Sequence, residues 1–206
     1  MKNNITEIVC ILDRSGSMQG LEADVIGGFN STLNDQKSKD GTAFITTVLF
    51  DTRHDRLHDR LPIDTVAPMT AKDFRVGGCT ALYDAIGDAI EHIATIHQYL
   101  RPEDVPEKTV FVITTDGMEN ASRRFSARKL RDMIKEKQAT GWEFVFLAAN
   151  IDADAAASEI GIREDHTAEF TTLCGGIQAC YMMVNESISS ARRRDKITTE
   201  KWRKKK

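Results

Sequence analysis

The chain begins with an apolar run, Ile5 to Leu12, that shows little alternation, the pattern of a strand buried on both faces, and it breaks into the polar cluster Asp13-Arg14-Ser15-Gly16-Ser17. Beyond it Leu21, Val25, Phe29 and Leu33 recur at helical spacing, through a segment that ends in the polar stretch Asp35 to Gly41. Thr42 to Phe50 is rich in Thr, Val, Ile and Phe, and Thr52 to Ile63 alternates polar and apolar residues after a brief Asp51-Thr52 connection, which predicts a hairpin whose second arm is an exposed antiparallel edge strand. Gly77-Gly78-Cys79-Thr80 is a turn feeding a long helix, Ala81 to Leu100, with Leu82, Ala85, Ile86, Ala89, Ile90 and Ile93 along one face. After the proline-bounded segment Pro102 to Pro106, Thr109 to Thr114 is a second uninterrupted apolar strand, and it ends in Thr115-Asp116-Gly117. The remaining pattern predicts a helix over Ser126 to Lys137, a strand over Glu143 to Ala148, a short helix over Asp154 to Ile160, a short strand over Ala168 to Phe170 and a last helix over Gly175 to Arg193.

Strands that alternate with helices predict an α/β fold, a doubly wound, Rossmann-like and mostly parallel sheet with one antiparallel edge strand, helices on both faces and right-handed crossovers. In such sheets ligands bind outside the carboxyl ends of the strands, where the winding reverses. The three polar loops, after the first strand, before the long helix and after the Val110 strand, are therefore the candidates for the functional site.

Composition narrows the class. With 206 residues, 41% hydrophobic and 29% charged, the chain suits one globular domain and carries no disorder signature across its body. No run approaches a bilayer span and the amino terminus has no small-residue cleavage site, so a cytoplasmic protein without membrane insertion is expected. Four scattered cysteines, Cys10, Cys79, Cys174 and Cys180, form no Cys-x-x-Cys pair and suit reduced thiols. The net charge of −3 conceals an asymmetry: residues 192–206 hold nine Lys/Arg against Asp195 and Glu200, a local +7, which leaves −10 on residues 1–191. A basic terminus of this kind can touch nucleic acid or an anionic surface, but a solvated, frayed tail is the plainer reading.

The chemistry lies in the polar loops. Asp13, Ser15 and Ser17 place a carboxylate and two hydroxyls at alternate positions, so an extended loop can turn all three towards one ion. Thr80 adds a hydroxyl beside glycines that let the backbone come close, and Asp116 adds a second carboxylate at a strand end. A set made only of oxygen donors implies a hard cation. Taken alone, Asp-x-Ser-x-Ser is better read as a turn or a helix N-cap, where Ser and Asp satisfy free backbone N–H groups. The three motifs in this order weigh towards a metal site.

Together Asp-x-Ser-x-Ser at 13–17, Thr80 within Gly-Gly-Cys-Thr-Ala-Leu and Thr-Asp-Gly at 115–117 resemble the metal-ion-dependent adhesion site (MIDAS) of von Willebrand factor A (vWA) domains. The resemblance covers nearly the whole chain in element order. It implies a domain over residues 1–191 followed by the basic tail 192–206, and a sheet of six strands whose short third strand is antiparallel. It also implies Mg²⁺, Mn²⁺ or Ca²⁺ held by the hydroxyls of Ser15, Ser17 and Thr80, with Asp13 and Asp116 acting directly or through water. The open position of such a site takes an Asp or Glu from a protein partner. Proteins of this kind in bacteria often work beside AAA+ ATPases, kinases or stress-resistance systems such as tellurite resistance, and an adaptor role follows from the resemblance.

Rival readings rest on less. A haloacid-dehalogenase-like phosphatase also places an Asp after its first strand, but its motif requires a second Asp two residues on, where this chain has Ser15; the general acid is missing. No Gly-x-Ser-x-Gly, phosphate-loop or His-Glu-x-x-His motif occurs, and no catalytic residue is assigned. Nucleic-acid binding through the basic tail and Trp202 is set against the acidic body. Cys79 reads as a small residue in a glycine-rich turn, Arg14 and Glu119 as solvated charges that could tune partner choice, and His54 and His58 as polar side chains sharing one face of the edge strand.

Overall fold

The computed structural model describes residues 4–171, 175–193 and 195–197; Cys174, Trp202 and the basic run beyond Ile197 lie outside them. Six strands form one sheet: β1 (Ile5–Asp13), β2 (Thr42–Phe50), β3 (His54–Pro62), β4 (Lys108–Thr115), β5 (Trp142–Ala148) and β6 (Thr167–Glu169), in the order β3-β2-β1-β4-β5-β6. Every neighbouring pair is parallel except β2 with β3, so the expected antiparallel edge is present. The helices are α1 (Glu22–Lys37), α2 (Leu82–Tyr99), α3 (Ala127–Ala139), α4 (Ala153–Glu159) and α5 (Gly176–Arg193).

The two-sided burial of β1 explains its lack of alternation. Ile8, Cys10 and Leu12 join the layer formed with α1 and α5, while Val9 and Ile11 join the layer formed with α2, α3 and α4. The chain winds outward from β1 to β3 on one side, then crosses to β4 and winds outward to β6 on the other. The reversal lies between β1 and β4, whose carboxyl ends therefore leave a crevice.

Three local expectations change. The first helix continues to Lys37, through residues that look like a polar terminator, because Gln36 is buried against α5 and its amide donates to Asn185 Oδ1 (2.7 Å) and Ser189 Oγ (2.8 Å). His54 and His58 do not share a face. Irregularities in the β2–β3 register turn His58 inward, where it meets Thr47 Oγ1 (3.0 Å) and stacks on Phe29 of α1, whereas His54 pairs with Asp88 of α2. At the other end of the described chain, Arg192 is not a loose charge: it donates to the carbonyls of Gln36 in the last turn of α1 and of Lys39, Asp40 and Gly41 beyond it, and Ile197 is buried.

The same β2–β3 irregularity places Arg60 in the left-handed region (φ 45°), its guanidinium over the Phe44 ring and its Nε donating to Glu7 Oε2 at 2.9 Å. Glu7 is fully buried on β1, and its other oxygen has no hydrogen-bond partner among the described residues. A buried carboxylate stripped of its cation is far costlier than a neutral pair. Arg60→Ala is therefore expected to destabilise the fold by roughly 2–3 kcal/mol, the low end for a buried pair because Arg60 keeps some solvent contact. The double variant Glu7→Gln/Arg60→Ala should lose less than Arg60→Ala alone, as read by urea unfolding.

Candidate metal centre

At the reversal crevice β1 ends in Asp13 and β4 in Thr115, and the loops that follow bring the five oxygen-bearing residues together. Ser17 Oγ donates to Asp116 Oδ1 at 2.6 Å and lies 3.1 Å from Ser15 Oγ. The space a Cβ on Gly117 would enter is 3.5 Å from Thr80 Oγ1 and 3.6 Å from Ser17 Oγ, so the second loop's hydroxyl reaches the same place. Asp13, Ser15, Thr80 and Asp116 are buried while Ser17 is exposed, which gives the cluster one mouth towards solvent.

The two carboxylates differ. Both oxygens of Asp13 are occupied, Oδ1 by the Ser15 N–H (2.7 Å) and Oδ2 by the Thr115 hydroxyl (2.6 Å). Asp13 is thus held rigidly, and Thr115, to which the Thr-Asp-Gly motif gave no role of its own, is the residue that orients it. Burial raises the pKa of Asp13, against the opposing hydrogen bonds from Ser15 and Thr115. Asp116 is raised as well, by burial first and further by the charge of Asp13, with the Ser17 hydrogen bond opposing. Neither forms an ion pair with a lysine or arginine among the described residues. Two buried carboxylates with hydroxyls around them and no internal counter-charge suit a hard divalent cation, which would supply the missing positive charge and accept all five residues as oxygen donors. No group of three or more His, Cys, Asp or Glu that could hold a metal occurs among the described residues.

A brace around the cluster was invisible in the sequence. Arg14, expected to be solvated, is turned away from the cluster and pairs with Asp51 (2.8 Å) and Asp55 (2.5 Å) of the β2–β3 turn and edge strand. The same turn holds the second loop: Thr52 Oγ1 accepts from Cys79 N (2.8 Å), and Asp51 O accepts from Ala81 N (2.8 Å). Gly78 has φ 76°, and a Cβ there would meet Thr52 Oγ1 at 2.7 Å, so this turn requires glycine. Thr80 is clamped by Asn120, whose Oδ1 accepts from Thr80 N (2.9 Å) and whose N–H donates to Thr80 O (3.0 Å). Glu119 is likewise structural: its carboxylate accepts from the N–H groups of Tyr83, Ala121 and Ser122, tying the loop after β4 to the start of α2.

No protein-family model matches the sequence, and no curated protein matches it. Among solved structures the fold is similar to proximal thread matrix protein 1 from the mussel byssus (TM-score 0.59, 16% identity, 91% of this chain and 46% of that one). It is also similar to a von Willebrand factor type A protein from Catenulispora acidiphila (TM-score 0.58, 14% identity, 90% and 42%). A third similar structure is the manganese-loaded TRAP protein of Plasmodium vivax (TM-score 0.54, 15% identity, 79% and 65%). The mussel protein is also known with a zinc-occupied MIDAS motif. The fold is thus that of vWA domains, and the chain spans less than half the length of the first two of these structures.

The raised carboxyl pKa values have a testable sign. A carboxyl group whose folded pKa exceeds its unfolded value makes the folded state lose stability as pH rises from the unfolded value through the raised one. In chelator at neutral pH, Asp116→Asn should therefore melt at or above the wild-type temperature, with the gap closing as pH falls below the ordinary aspartate range. A variant that melts lower than wild type at neutral pH would show that the two carboxylates do not strain the metal-free site.

Proposed function

We propose that this chain is a divalent-cation-dependent protein-interaction module. Asp13, Ser15, Ser17, Thr80 and Asp116 hold Mg²⁺ or a related ion such as Mn²⁺ or Ca²⁺, and an Asp or Glu of a protein partner completes its coordination. The observation that carries this reading is the meeting of three hydroxyls and two buried carboxylates, without a facing lysine or arginine, at the mouth of the reversal crevice. Neutral hydroxyl ligands leave much of the ion's charge unquenched, so an incoming carboxylate gains more there than at a carboxylate-rich site. The metal-occupied mussel and Plasmodium structures of similar fold support the same assignment.

We place no catalytic step in this site. The rival phosphatase reading needs Asp13 as a free nucleophile with a second acid two residues on. Here both Asp13 oxygens are engaged, and the second position is Ser15. No helix among the described residues is long and apolar enough to cross a membrane. The setting we propose is the cytoplasm, with an adaptor role beside an AAA+ ATPase or within a stress-resistance system.

Isothermal calorimetry with Mg²⁺ is expected to show one site, and Mg²⁺ should raise the melting temperature by mass action. Thr80→Ala removes one neutral ligand without changing net charge, so it should weaken Mg²⁺ by about tenfold or more and abolish most of the metal-linked thermal shift while the metal-free protein still folds. Undiminished Mg²⁺ binding in Thr80→Ala and in Asp13→Ala/Asp116→Ala would place the ion elsewhere. Phosphatase and esterase panels should be blank with metal present; turnover abolished by Asp13→Asn would restore the enzyme reading.

A further inference from the structure

Next to the metal-site loops, the start of α2, the loop after β4 and the segment from Asn150 into α4 enclose a groove of about 490 Å³. Gly117 belongs both to the groove and to the hydroxyl cluster, so the two are continuous. The walls of the groove are Leu82, Tyr83, Met118 and Ile151, and Met118 is 70% exposed although it is a large apolar side chain. Its charged lining residues are all acidic, Glu119, Asp152 and Glu159, and no lysine or arginine lines it. Arg131, the cation attached to α4, spends its guanidinium on the Glu159 carbonyl instead.

We propose that this groove is the specificity subsite of the interaction module, and that it takes an arginine or lysine lying within a few residues of the partner's metal-binding Asp or Glu. The inference rests on the cation-dependent reading above. Such a side chain matches the groove in both of its parts. Its apolar stem lies along Met118 and Ile151, and its charged end meets Glu159 and Asp152. Asp152 uses one carboxylate oxygen to cap α4 through the Ala155 N–H (2.9 Å), and its other oxygen keeps acceptor capacity. An acidic side chain of the partner is drawn to the ion, and a second one placed in the groove would meet three like charges, so the groove sets direction as well as preference. The Tyr83 phenol is pushed up to about 12, first by burial and then by the charge of Glu159, by its hydrogen bond to that carboxylate and by the charge of Glu119, so Tyr83 holds Glu159 at the groove wall.

The probe is a displayed library of random peptides around one fixed central Asp, selected on the full chain in Mg²⁺ and eluted with chelator. The library is selected in parallel on Asp152→Asn/Glu159→Gln, in which Asn keeps the helix cap. Wild type should enrich Arg or Lys within about four positions of the fixed Asp, and the double variant should bind the selected peptides about fivefold more weakly while its Mg²⁺ affinity, by calorimetry, stays within about twofold. Met118→Ser should also weaken them. Chelator-eluted peptides without a basic residue, peptides that bind both proteins equally, or no enrichment in a protein that demonstrably binds Mg²⁺ would overturn the groove assignment and leave the metal reading standing. Absence of Mg²⁺ binding by the wild-type protein would overturn both.

Discussion

The parallel register of β1 with β4 is the constraint on which the candidate centre depends. Leu12 lies opposite Thr114, so Asp13 and Thr115 leave the sheet side by side, and the Thr115 hydroxyl can fix the Asp13 carboxylate. Side chains alternate faces along a strand, so a slip of one residue would turn this whole set to the other face. Burial of both faces of these strands, with Val9, Ile11, Val110 and Val112 all essentially inaccessible, is what prevents the slip. The apolar layers thus hold the register, and the register holds the carboxylates.

Given that register, the problem left is to aim three loops at one point without placing a cation among them. The edge hairpin solves part of it. Its turn binds Arg14 by charge, Cys79 through Thr52, and Ala81 through a carbonyl, so the first two loops are fixed to a common support and to each other. The loop after β4 is fixed from the opposite side, through Asn120 on Thr80 and Glu119 on the start of α2. Charged residues beside the cluster consequently act as struts, and the cluster itself keeps its negative charge. Such an arrangement is preorganised, which would reduce the ordering cost of binding the ion we propose.

The buried charges at the two ends of β1 are handled in opposite ways. Glu7, near the amino end, is neutralised internally by Arg60, delivered by an irregular edge strand. Asp13, at the carboxyl end, is given hydrogen bonds and no cation. One strand therefore carries a carboxylate with an internal cation that serves the fold and a carboxylate without one that a ligand can serve. Continuous with the latter is the acidic, Met118-walled groove, so the negative potential extends beyond the cluster along one side.

The sequence by itself determined the element order, the two-sided burial of the central strands, the antiparallel edge and the place of the oxygen-bearing Asp13, Ser15, Ser17, Thr80 and Asp116, the donors we propose, in three polar loops, because periodicity and loop chemistry are local properties that a linear reading preserves. Only the tertiary structure decided which neighbours those donors have. Arg14 and Glu119 look like free surface charges in the chain, and Thr115 and Asn120 look unremarkable, yet all four position the centre through partners 36 to 102 residues away. The orientation of His58 and the helical extension through Gln36 were hidden for the same reason, since a register irregularity and a polar patch on a distant helix are not written near those residues. Long-range hydrogen bonds and ion pairs depend on how the elements pack, and packing has no period along the chain.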